Sequence, residues 1–180
     1  MPKKEPHFQS LMLHPKYWLT WIGLGMGWLT AQLPYPMQLN IGKLLGKLLK
    51  ILGSSRNHII RTNLKLCFPE KTSNDIENLL ERNFQSSGIA LMEMLMSYWT
   101  PDRKLQKLVR IEGLEHLEKA LAKDKGVILL SGHFTTLEIG AKLLTFYADF
   151  DALYRRNKNP VIEYVMFKSR NDKLGRAIER

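Results

Sequence analysis

Cysteine is almost absent from this chain, with Cys67 the only one in 180 residues. A lone thiol makes no internal disulfide and no cysteine-based metal cluster, so a disulfide-stapled scaffold and a zinc module are both excluded. In Leu66-Cys67-Phe68-Pro69 it reads as a small packed apolar residue. Acidic residues are missing from a long stretch. After Glu5 the next is Glu70, and seven cations lie between them: Lys16, Lys43, Lys47, Lys50, Arg56, Arg61 and Lys65. Nearly all of the formal net charge of +10 therefore sits ahead of Glu70. Such an imbalance favours an anionic partner: a membrane surface, a phosphorylated substrate or a nucleic acid. The rest of the chain is close to balanced and no recognition motif accompanies the charge, which argues against a nucleic acid. Charge of either sign is absent from Tyr17 to Gly42. There is no internal repeat and no low-complexity tract. The 44% hydrophobic content is that of a folded protein.

What is present falls into four stretches. Residues 1–16 are a short basic tail. Residues 17–35 form the candidate membrane-anchor helix. Its most apolar part, Tyr17 to Pro34, is 18 residues long, and as a helix would span about 27 Å, just short of a hydrocarbon core. Trp18, Trp21, Trp28 and Tyr35 are amphipathic, as residues at a bilayer interface are. Residues 36–104 read as a helical, basic, membrane-proximal region. Within it Ile41, Leu44, Leu45, Leu48, Leu49 and Leu52 follow helical spacing, with Lys43, Lys47 and Lys50 on other faces. This helix suits a membrane surface or an ordinary core-facing position. Residues 56–66 are predicted helical. A further helix should run from Ser73 to about Trp99, with Asn74 and Glu77 at capping-box spacing. Thr100-Pro101-Asp102 opens another.

Residues 105–180 change rhythm. Leu108–Glu112, Val127–Leu130 and Ala152–Tyr154 are strand candidates, and helices are expected over Leu114–Ala122, Thr136–Tyr147 and from Pro160. Alternating strand and helix predicts an α/β domain with a mainly parallel sheet. Ser131-Gly132-His133-Phe134-Thr135-Thr136-Leu137-Glu138 follows the most apolar strand candidate and opens a helix. Ligands gather at such strand ends. His133 and Glu138 are five residues apart. Within one helix they would diverge by about 140°, but they can meet if His133 lies in the turn before it. A carboxylate on one imidazole nitrogen leaves the other free to accept a proton, which makes a general base for a hydroxyl. Thr135 and Glu138 also have capping-box spacing, which alone would account for the glutamate. No second histidine or cysteine lies near enough to suggest a metal.

His133-Phe-Thr-Thr-Leu-Glu138 resembles the H-x4-D/E motif of glycerolipid-type acyltransferases. The stretches beginning His14-Pro-Lys-Tyr-Trp, Gln32-Leu-Pro-Tyr-Pro36, Asn63-Leu-Lys-Leu-Cys-Phe-Pro69 and Asn83-Phe-Gln-Ser-Ser-Gly88 narrow the resemblance to the lipid A late acyltransferases of bacteria. That resemblance implies transfer of a fatty acyl chain, lauroyl in the nearest case, from acyl carrier protein to a hydroxyl of the Kdo-modified lipid A precursor. It makes His133 the base and Glu138 its partner. It gives Arg170 a catalytic or substrate-phosphate role, and Arg155 and Asn157 candidate substrate contacts. It implies no cofactor, no metal and no nucleic acid, and a single-pass anchor in the inner membrane with the catalytic part on the cytoplasmic side. The sequence departs from the family pattern at Arg156, where proline is expected. Family members are also much longer, so the domain is expected to be incomplete at the C-terminus. Two other readings fit the residues: an acyltransferase of phospholipid synthesis acting on glycerol phosphate, and a non-catalytic membrane-bound fragment.

Overall fold

The computed structural model describes residues 8–171 and 177–179. Two short 3-10 turns, Ser10–Leu13 and Pro15–Tyr17, lead into α1 (Trp18–Ala31). Then follow α2 (Tyr35–Leu52), α3 (Ser54–Cys67), α4 (Ser73–Trp99) and α5 (Asp102–Leu105). The C-terminal part holds α6 (Leu114–Leu121), α7 (Leu137–Leu144), β1 (Ala152–Tyr154), α8 (Pro160–Asn171) and β2 (Ala177–Glu179).

Helix α4 is the scaffold. Thr72 caps its start: the hydroxyl accepts from Asp75 N at 3.2 Å, and Asp75 Oδ2 accepts from Thr72 N at 3.1 Å. The capping box therefore uses Thr72 and Asp75 rather than Asn74 and Glu77. Ile76, Leu80, Phe84, Met92, Leu95 and Met96 recur at helical spacing and are buried. Helices α1, α2 and α3 pack along this helix, and α7 and α8 pack on it as well. Glycines bring α2 and α4 to backbone contact. A Cβ on Gly42 would stand 2.8 Å from Ile89 Cα, and Gly46 and Gly88 are equally crowded. Thr100, past the end of α4, donates to Ala31 O at 3.1 Å, and Gln38 donates to Leu33 O at 2.8 Å. These bonds satisfy carbonyls that the end of α1 leaves open.

Two expectations fail. The first is the spanning anchor at 17–35. Helix α1 has 14 residues, about 21 Å of rise against a hydrocarbon core of about 30 Å. It is bounded by the Pro15–Tyr17 turn and by Pro34, which disfavours helical geometry at Leu33. Among the described residues no helix is long and apolar enough to cross a membrane. The second is the mainly parallel α/β sheet. The described residues contain one pair of strands, parallel β1 and β2, in register Ala152 to Ala177 through Tyr154 to Glu179. Val127–Leu130 and Leu108–Glu112 form no strand. A strand exists by its ladder, and no described segment lies alongside Val127–Leu130 to supply one. Ile128 and Leu130 are accordingly 95% and 97% exposed. The chain turns just before this segment, with Asp124 and Gly126 at φ of 51° and 71°.

Candidate functional site: an ion pair in the lining of an apolar cleft

Glu138 is the second residue of α7 and Arg170 lies in the last turn of α8. Both helices pack on the C-terminal half of α4, and this brings the two side chains together. Arg170 Nε donates to Glu138 Oε1 at 2.9 Å, and Nη2 donates to Oε2 at 2.7 Å. This is the bidentate fork that guanidinium and carboxylate geometry favours. The side chains are only 18% and 26% exposed. Burial opposes the charge on Arg170, but the hydrogen bonds and charge of Glu138 outweigh it, and its pKa rises. The guanidinium also lies over the Tyr154 ring, 5.7 Å from its centroid.

Tyr154 is held in turn. Its hydroxyl donates to Glu163 Oε1 at 3.2 Å, and Glu163 Oε2 accepts from Asn157 N at 2.7 Å. Burial, then the charge of Glu163, raises the Tyr154 pKa. Asn157 Oδ1 accepts from Asn159 N at 2.9 Å, and Asn159 Oδ1 accepts from Val161 N at 3.0 Å to start α8. Tyr98, near the end of α4, is 8% exposed and faces the pair. Its hydroxyl feels the charges of Glu138 and Arg170 but, among the described residues, makes no hydrogen bond of good geometry. Burial, then the Glu138 charge, pushes its pKa far up, so it stays a neutral donor.

The pair and Tyr98 are among the residues that line a cleft of about 1190 Å³. Its walls include Val109, Ile111, Leu121, Leu143, Leu144 and Leu153. A mainly apolar cleft that also carries charged and hydroxyl groups suits a ligand with both an apolar and a polar part.

The predicted residues are distributed unevenly about this site. Glu138 and Arg170 meet. His133 is exposed in the loop before α7 and makes no hydrogen bond to Glu138 among the described residues. The Thr135–Glu138 capping box is also absent: Thr136 is the N-cap, without a side-chain bond, and the carboxylate is on Arg170. Arg155 is exposed, and the backbone of Asn157 serves Glu163. Among the described residues no group of three or more metal-ligating side chains converges. Sequence reasoning missed Tyr98 and Glu163. Tyr98 lies 40 positions before Glu138 in a helix, and only the packing of α4 on α7 joins them.

The profile of the bacterial lipid A biosynthesis acyltransferases matches residues 5–180. The chain belongs to that family. It is 39% identical over 160 residues to the lipid A biosynthesis lauroyltransferase of Escherichia coli (strain K12), covering 89% of this chain and 52% of that protein. It is 37% identical over 163 residues to the palmitoleoyltransferase of the same strain, covering 91% and 53%. A lipid A biosynthesis acyltransferase of Haemophilus influenzae is 38% identical over 170 residues, covering 93% and 54%. The chain thus spans about half the length of the curated relatives it matches. No solved structure matches it significantly.

Proposed function

We propose that this chain provides the acid–base part of an acyltransferase that moves a fatty acyl chain from acyl carrier protein to a hydroxyl of the Kdo-modified lipid A precursor, at the cytoplasmic face of the inner membrane. The observation that carries this reading is the Glu138–Arg170 pair in the lining of a mainly apolar cleft, in a chain of this family. A lauroyl donor is the first choice, from the 39% identity to a lauroyltransferase.

In the proposed reaction His133 accepts the proton of the acceptor hydroxyl as its oxygen attacks the thioester carbon. The C–S bond breaks, and His133 returns the proton to the departing carrier thiolate. No serine or cysteine nucleophile is needed. For this to occur the Ser131–Thr136 loop must turn His133 from solvent toward Glu138. Arg170 fixes the Glu138 carboxylate and contributes positive charge to an anionic head group. Tyr98 offers a neutral donor to a carbonyl oxygen, whose charge grows during attack. Tyr154 lines the cleft, and Arg155 and Asn157, which follow it in the chain, are the proposed further contacts for the substrate head group.

Incubating the protein with radiolabelled lauroyl-acyl carrier protein and competing acceptors tests the assignment. Label on the Kdo-modified precursor, reduced roughly a hundredfold or more in His133→Ala, is expected for loss of a general base. Label on glycerol phosphate instead would move the assignment to phospholipid synthesis. Equal transfer by wild type and His133→Ala would remove the histidine from the chemistry.

A further inference from the structure

One stripe of α8 grips Tyr154. Glu163, Phe167 and Arg170 stand at i, i+4 and i+7 and share a face of the helix. Each meets a different part of the tyrosine. Glu163 Oε1 accepts from its hydroxyl at 3.2 Å. The Phe167 and Tyr154 rings lie with centroids 6.5 Å apart. The Arg170 guanidinium sits over the tyrosine ring, 5.7 Å from its centroid. Arg156 also reaches the hydroxyl. Tyr154 itself is the last residue of β1 and lines the cleft.

Glu163 is only 5% exposed. A carboxylate buried this far is costly unless its oxygens are satisfied. Here both are, because Oε2 accepts from Asn157 N at 2.7 Å. The two bonds tie the end of β1 and the loop after it to the first turn of α8. Arg170 lies two turns further on, about 10 Å of helix rise, so Glu163 reaches it through the tyrosine. The Glu163 charge also favours the Arg170 cation. Arg170 spends Nε and Nη2 on Glu138, and among the described residues its Nη1 makes no hydrogen bond. A planar fork stacked on a fixed ring has a fixed direction for that remaining donor.

We propose that Glu163 is a positioning residue for Arg170: by holding the Tyr154 hydroxyl it fixes the ring on which the guanidinium stacks, and so aims Nη1 at an anionic group of the acceptor. A guanidinium already held by a carboxylate and a ring loses little freedom when the anion arrives. Releasing the ring therefore costs affinity for the acceptor. The inference rests on the reaction proposed above for the identity of the acceptor, and not for the positioning itself.

Hydrogen exchange of the Arg170 Nε–H group tests it. The purified protein carries isotope-labelled arginine, and the signal is identified by its loss in Arg170→Lys. Glu163→Gln keeps the side chain's size but turns one acceptor into a donor, and Tyr154→Phe keeps the ring without the hydroxyl. Each should speed the exchange roughly tenfold, and the double variant no further than the faster of the two. In acyl transfer the same variants should raise KM for the phosphorylated acceptor roughly tenfold and leave KM for the carrier-bound donor unmoved. Wild-type exchange in either single variant would overturn the proposal, as would additive effects in the double variant. A lower Tm with faster exchange at every labelled arginine would make Glu163 a structural residue and overturn it too. If the wild-type protein transfers no acyl chain to the lipid A precursor, the reaction proposed above fails, and the exchange rates still decide the role of Glu163.

Discussion

Arg170 and Glu138 satisfy each other, so removing one strands the other in a site with little water. Arg170→Ala should lower stability by about 2 kcal/mol, with Arg170→Lys intermediate because a single ammonium cannot grip both oxygens. Urea unfolding measures both. Tyr98→Phe separates function from packing. Among the described residues the buried hydroxyl has no hydrogen-bond partner, so its loss should leave stability unchanged or slightly higher. Its loss should lower kcat by roughly tenfold or more if it donates to the reacting carbonyl. Unchanged kcat would leave Tyr98 a packing residue. Glu93 gives a pH test. Burial raises its pKa, partly offset by the hydrogen bond from Tyr35 at 3.2 Å. A carboxyl whose folded pKa is raised contributes fully below its ordinary value and loses that contribution as pH rises through the raised one. Glu93→Gln should therefore match wild type in acid and exceed it at neutral pH, read as Tm against pH. At this scale the sequence was half legible. The spacing of His133 and Glu138 marked the glutamate, but the partner it takes is Arg170, 32 residues away and brought in by the packing of α7 and α8 on one helix.

Helices were legible because their signals are local. Ser73–Trp99 was expected almost to the residue, since polar caps and a threonine-proline stop bracket an apolar repeat. Pro160 opens α8 as expected, with Asn159 capping it. Ala152–Tyr154 was legible and is β1, but the candidates Val127–Leu130 and Leu108–Glu112 form none, because an apolar run becomes a strand only if another segment pairs with it. The anchor was misjudged for a related reason: hydropathy continues past Ala31, but Pro34 ends the helix that would carry it. The orientation of α2 was equally hidden. Its leucine repeat suggests a core face, yet Gly42 and Gly46 make the tighter contact with α4. Gly88→Val should therefore force α2 and α4 apart and cost about 1–3 kcal/mol or more, seen as a lower midpoint in urea. Thr72→Ala, which removes the cap of α4, should cost about 1 kcal/mol. Wild-type stability in Gly88→Val would contradict the backbone contact of α2 on α4.

For the whole molecule, the charge that stood out in the sequence has a spatial counterpart. Its acid-free part forms α1, α2 and α3, which pack along α4, and the cleft with its ion pair lies by the C-terminal end of α4, where α1 also packs. The central claim is that this family member acylates lipid A through His133 and Glu138. Its most direct test is complementation: the complete reading frame expressed in a bacterium lacking its own lipid A lauroyltransferase, with lipid A read by mass spectrometry. The account predicts one added acyl chain, of a mass that reports its length, which disappears in His133→Ala and in Glu138→Ala. Lipid A of unchanged mass from the wild-type protein, or an added chain that persists in both variants, would contradict it.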